Sequence, residues 1–170
     1  LTDSSAASDV YKRQVFKQRG EIGICRRGCM DKAGIRAKQA SLRELYDTAP
    51  MKKTFGLDLS YNDSGQAVFH LPYQERLCHG LMDTHGGVIA TMIDNAGWFT
   101  AATMYDTWIN TSEFTVRLLE PANKEGLVAT GSIVRAGSSM CVTTMEVRGD
   151  SGRLVAIGSG TFVVSGKSLF

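Results

Sequence analysis

The chain holds few of the residues that staple or metallate small domains: 170 residues carry four Cys, three His and three Pro. Cys25 and Cys29 sit in the first 29 residues, which leaves Cys78 and Cys141. No CxxC remains, no disulfide framework is implied, and a reducing cytoplasm is the expected compartment. The sequons at Asn62-Asp63-Ser64 and Asn110-Thr111-Ser112 then carry no meaning. Nothing reads as a signal peptide or lipidation motif. No internal repeat, low-complexity tract or linker divides the chain, so one domain is expected. A large excess of one charge is also missing. Of 19 Lys+Arg and 17 Asp+Glu, residues 1–29 hold six and three, leaving 13 and 14, net −1. The apparent pI near 8.4 is therefore no argument for nucleic-acid binding. Residues 86–105 lack Lys and Arg, but Asp94, Asn95 and several Thr within them argue for a buried core helix over a membrane span.

Residues 1–29 are expected to be a non-native leader. Ser4 to Gln14 resembles a translated sequencing adapter, and residues 15–29 read as upstream DNA carried through in frame. Arg26-Arg27 could encode a ribosome-binding AGG-AGG shortly before an ATG for Met30. The expected domain is 30–170.

What is present centres on His85-Gly86-Gly87 and the apolar run behind it. At 100° per residue, the apolar side chains of 88–104 fill an arc of roughly 220°. Asp94 falls at the edge of that arc, near Ala90, Ala101 and Trp98. A lone carboxylate there is costly to bury unless paired or used. Upstream, 36–48 reads as an amphipathic helix with Leu42, Leu45 and Tyr46 on one face, ended by Pro50. Phe55 to Tyr61 alternates as a strand, 62–65 is a turn, and 66–71 returns with Val68 or its neighbours inward. A polar loop leads to a helix over 86–104. Strands are expected at 110–119, 127–135, 139–148 and 153–164, mostly as antiparallel neighbours. An antiparallel sheet curled around one helix, α+β in class, satisfies this order. Ala90, Gly97 and Ala101 would let the sheet approach closely. The sheet's other face needs a partner, so a homo-oligomer is expected.

These residues resemble the hotdog-fold acyl-CoA thioesterases of the phenylacetate-degradation (PaaI-like) type. The signature is His-Gly-Gly with an acid nine residues after the His, matched by His85-Gly86-Gly87 and Asp94. Thr111 to Ala122, ending in Pro121-Ala122, is similar to a family strand, as are Gly126 to Gly131, Arg135-Ala136-Gly137, Gly152 to Ala156 and Gly160-Thr161-Phe162. The resemblance covers about 50–164. It implies hydrolysis of an acyl-CoA to free acid and CoA, with coenzyme A as part of the substrate and no separate cofactor. Asp94 would be base or nucleophile, since desolvation raises a carboxylate's basicity. Gly86 or Gly87 would supply the oxyanion donor at the helix start. Thr111 matches a hydroxyl that some relatives use to hold water. His79 stands where relatives often have Asn or Gln. It would assist catalysis and bring pH sensitivity. His85, Asn95 and Trp98 are assigned to substrate binding, and Arg135, Gly137, Ser138 and Ser139 form a turn that could meet the phosphates of CoA. The resemblance also implies a dimer or a dimer of dimers, a homotetramer, with substrate entering between subunits.

Other readings stay open. Asp94 could simply hydrogen-bond a neighbouring strand, Gly86-Gly87 could serve close packing, and Trp98 could be core. Cys78, His79, Asp83 and His85 match no closed zinc pattern, so no metal is expected. His70 reads as a strand imidazole. The rival functions are a non-catalytic acyl-CoA binding module, which binds without turnover, and a hotdog 3-hydroxyacyl thioester dehydratase or hydratase, which acts on enoyl thioesters and needs a catalytic His. Neither a nucleic acid nor a membrane is an expected partner.

Overall fold

A computed structural model describes residues 32–170. The expected leader at 1–29 lies outside the described residues. Helix α1 covers Lys32–Thr48 and buries Leu42 and Tyr46. Lys38 ties it to the turn just before Thr107 through a 2.7 Å bond to Asp106. Pro50 does follow the end of α1, but it also opens a second helix, α2 (Pro50–Phe55), which the sequence reading missed. The proline ring suits the first helical turn and forces Ala49 before it into extended backbone, so the chain stops and restarts. Phe55 is thereby removed from the expected strand. Strand β1 is only Asp58–Tyr61, and β2 is Ala67–Leu71. Ala67, Phe69 and Leu71 face the core and Val68 does not.

A 3₁₀ turn at Glu75–Leu77 interrupts the following loop. Helix α3 runs Gly86–Ala102, followed by β3 (Thr107–Leu118), β4 (Leu127–Ala136), β5 (Met140–Gly149) and β6 (Leu154–Ser168). The six strands form one antiparallel sheet in the order β1-β2-β4-β5-β6-β3. The loop lengths predicted neighbours, and this holds for β4, β5 and β6. It fails for β3, which crosses to the outer edge and pairs with β6. The sheet curls round α3, which packs against β2 to β6. This is the expected hotdog fold. No helix among the described residues is long and apolar enough to cross a membrane.

Close packing of helix and sheet depends on Gly97. A Cβ there would lie 2.8–2.9 Å from Met145 Sδ, Phe162 Cζ and Thr143 Oγ1. Ala101 is fully buried, whereas Ala90 is only half-buried. The outer face of the sheet is mixed, with Thr144, Glu146 and Arg148 alternating outward along β5. Exposed apolar side chains include Phe114, Leu118 and Leu119 on the edge strand and the turn after it, and Val134, Met140 and Val163 on β4, β5 and β6.

Candidate active site

Asp94 lies in the middle of α3, half-buried, on the wall of a cavity of about 560 Å³. Thr111 Oγ1 donates to its Oδ1 at 3.0 Å. A bulge makes that contact compatible with the rest of β3. Thr111 pairs with Phe162 and Glu113 with Thr161, so Ser112 is an extra residue without a partner. Alternation alone would put Thr111 and Phe114 on opposite faces. The inserted residue turns both toward the helix. Burial pushes the Asp94 carboxyl above the ordinary carboxylate range, and the Thr111 bond opposes part of that rise. The result is a carboxylate more basic than an exposed one, facing an open space.

The remaining cavity wall is largely apolar. Trp98 sits one helical turn beyond Asp94, and its indole N–H donates to the Ile109 carbonyl at 2.8 Å. Trp108 packs on it, ring centres 4.9 Å apart. Phe99, Met51 of α2 and the turn between α1 and α2 are part of the lining. Tyr46 also lines it. Its hydroxyl is buried with no partner among the described residues, and burial pushes the phenol up to about 12, too high for proton transfer near neutrality. Asn95 donates to the Thr91 carbonyl at 2.9 Å and shares the wall with Asp94. Tyr46, Met51, Trp108 and Asn110 were missed by the sequence reading. Trp108, three residues before Thr111 and one of only two tryptophans, offered a signal.

The glycine end of α3 is a separate place. His85 caps the helix, its Nδ1 accepting the Gly87 N–H at 3.0 Å. Neutral His85 therefore carries its proton on Nε2. The Gly86 N–H has no hydrogen-bond partner among the described residues. Gly86 and His79 line a second cavity, about 340 Å³, together with Asp83, Leu118 and Pro121. A Cβ on Gly86 would meet Leu118 Cδ1 at 2.8 Å. His79 is exposed in a tight loop, where its Nδ1 accepts from the Leu81 N–H at 3.1 Å. Arg153 holds the wall of this cavity by bonds to Glu120 and the Pro121 carbonyl. Eight residues of helix separate Gly86 from Asp94, about 12 Å of rise. Within one chain the structure brings Asp94, Thr111, Asn95 and Trp98 together, and separately Gly86, Gly87, His85 and His79.

Arg135, Gly137, Ser138 and Ser139 line neither cavity. Arg135 lies at the end of β4, and the other three form the β4–β5 turn, pinned by Tyr105 beyond the C-terminal end of α3, whose hydroxyl donates to the carbonyls of Gly137 and Met140. Among the described residues no three of His, Cys, Asp and Glu converge on one point.

Comparison with known proteins now bears on this arrangement. The profile of the Thioesterase superfamily matches residues 83–156, the segment from the glycine turn to the last strand. A protein of Saccharolobus solfataricus, provisionally named an esterase, is 31% identical over 103 residues, 60% of this chain and 74% of that protein. The chain belongs to the thioesterase superfamily. A Halobacterium salinarum relative, also provisionally an esterase, is 28% identical over 74% of this chain and 91% of its own length. Membership supports thioester hydrolysis in general terms. Among solved structures, the E. coli PaaI protein from the phenylacetic acid degradation operon is 20% identical with a TM-score of 0.70, over 80% of this chain and 96% of that one. A Bacillus halodurans protein solved with CoA is 23% identical with a TM-score of 0.66, over 81% and 97%. At these identities the likeness shows the fold alone.

Proposed function

We propose that this protein hydrolyses an acyl-CoA thioester of the PaaI-like type, with Asp94 as general base or nucleophile. The observation that carries the reading is the Asp94 carboxylate, made more basic by burial and held by Thr111 on the rim of a largely apolar cavity. The acyl group occupies the cavity. With Asp94 as base, the carboxylate takes a proton from water as the water oxygen attacks the thioester carbon, and that proton passes to the departing CoA sulfur. With Asp94 as nucleophile, the carboxylate forms a mixed anhydride, CoA leaves as a thiolate that takes a proton from water, and a second water hydrolyses the anhydride to the free acid and restores Asp94. Thr111 orients the attacking group. Gly86 polarises the carbonyl oxygen, because its N–H is unengaged at the positive end of the helix, whereas the Gly87 N–H is taken by His85. His79 borders the same glycine and assists.

The helical rise of about 12 Å between the two residues is the reason we propose a site shared by two copies. An antiparallel partner across the β3 edge would cover Phe114 and Leu118 and bring its Gly86 to this chain's Asp94. The CoA-bound relative supports CoA as the carrier. We place the enzyme in the cytoplasm, in keeping with free Cys78 and Cys141.

The test is thiol release from a panel of acyl-CoAs by the wild type and Asp94→Asn. Release that is lost in the variant supports the reading. A folded Asp94→Asn protein with full hydrolysis removes it.

A further inference from the structure

We infer that Trp108 sets the reach of the acyl pocket and restricts the site to compact acyl groups. The inference rests on the reading of the Asp94 cavity as the thioester site. Helix α3 and strand β3 run past each other in opposite directions. Thr111 meets Asp94, Ile109 meets Trp98, and the Trp108 ring lies on the Trp98 ring. The two tryptophans therefore stand together at a fixed distance from the carboxylate. Trp98 is about 6 Å of helical rise past Asp94. Trp108 is about 10 Å of strand past Thr111.

The two rings are held differently. Trp98 is 9% exposed and anchored by its bond to the Ile109 carbonyl. Trp108 is 37% exposed, and its N–H donates to the exposed Asn110 side chain at 3.2 Å. Trp98 is fixed wall, and Trp108 is the adjustable part. With a reacting carbonyl about 3–3.5 Å from the Asp94 oxygen, about four to six non-hydrogen atoms beyond it reach the tryptophan pair. A longer chain must displace the Trp108 indole from Trp98 and give up that aromatic contact. Straight chains of more than about eight carbons are disfavoured, and short or single-ring acyl groups fit.

The experiment separates this inference from hydrolysis itself. S-alkyl-CoA thioethers from butyl to dodecyl are titrated by calorimetry into wild type, Trp108→Phe and Trp108→Ala, and the matching acyl-CoAs are assayed for thiol release. Wild type should bind best at short lengths. Trp108→Ala should raise the decyl-to-butyl affinity ratio about tenfold, in the range known for small changes in apolar pockets, with Trp108→Phe between. The conservative phenylalanine keeps the test open if the alanine protein is unstable. An unchanged ratio in both folded variants overturns the inference, as does failure of every thioether to bind. Length-dependent binding that responds to Trp108 without thiol release from any acyl-CoA supports the inference and removes the hydrolase reading.

Discussion

Thr111 Oγ1 and Asp94 Oδ1 lie 3.0 Å apart, although 17 residues and a whole connection separate them. The bond holds the carboxylate's rotamer and lowers its pKa against the rise that burial imposes. Thr111→Val removes the donor and keeps the shape. The Asp94 pKa should then rise further. The acid limb of the kcat/KM profile should move to higher pH, because the active form is the deprotonated one. Rates measured between pH 4 and 8 check this. A limb that stays in place would mean that Thr111 does not tune Asp94.

Asp94→Asn should lower thiol release by about 10²–10⁴-fold, the usual worth of a positioned acid–base group. The same change should stabilise the fold at neutral pH. Burial raises the folded-state pKa above its unfolded value, so the folded protein prefers the neutral acid. Its stability is greatest below the unfolded pKa and declines as pH rises through the folded one. Asn stays neutral throughout. Thermal melting should show the variant ahead of wild type at pH 7, with the difference closing as pH falls into the carboxylate range.

Gly86→Ala should separate catalysis from folding. The new methyl would meet Leu118 Cδ1 at 2.8 Å, but Leu118 is 55% exposed and can turn away. Stability should hardly change. Alanine keeps the N–H at this position, so thiol release should fall because the methyl keeps the thioester oxygen from approaching that N–H, by as much as about 10²–10³-fold where contact with the donor is lost. Circular dichroism melts and the thiol assay on the same preparation give both numbers.

Gly97→Ala should do the reverse. Three neighbours at 2.8–2.9 Å crowd the added methyl inside the core. Overpacking of this kind costs about 1–3 kcal/mol, readable as a lower urea midpoint.

Mixing the two inactive proteins tests the shared site. Gly86→Ala and Asp94→Asn subunits, unfolded together and refolded, form hybrids in which one of the two sites has both wild-type groups. Roughly a quarter of wild-type activity should return under random pairing in dimers. No recovery, with hybrids demonstrated by native mass spectrometry, would place both groups in one chain's site.

Much of the fold was legible because it is written locally. Pro50, the turn clusters and the apolar run behind His85-Gly86-Gly87 each mark an element by composition and period. Asp94 stood out because a carboxylate on that arc has few structural uses. What escaped was set by distant pairing. The path of β3 to the sheet edge depends on its match with β6. Phe55 alternates convincingly with Leu57 and Leu59, yet the proline five residues earlier decides its fate. The cavity wall draws on α1, α2, α3 and β3 at once, so Met51 and Trp108 acquire a meaning only when those elements meet. The β4–β5 turn, expected by resemblance alone to meet phosphates, sits beyond the opposite end of α3 from Gly86.

Ser112 leaves the strand with a parity rule. Residues before it and residues after it count from different origins, and only the one unpaired residue reconciles them. Deleting Ser112 therefore forces a choice. Either Thr111 rotates away from the carboxylate, or the row Phe114, Val116, Leu118 turns outward. Length changes in this strand are tolerated in twos and punished in ones, so a library that varies loop and strand length here should return only even steps.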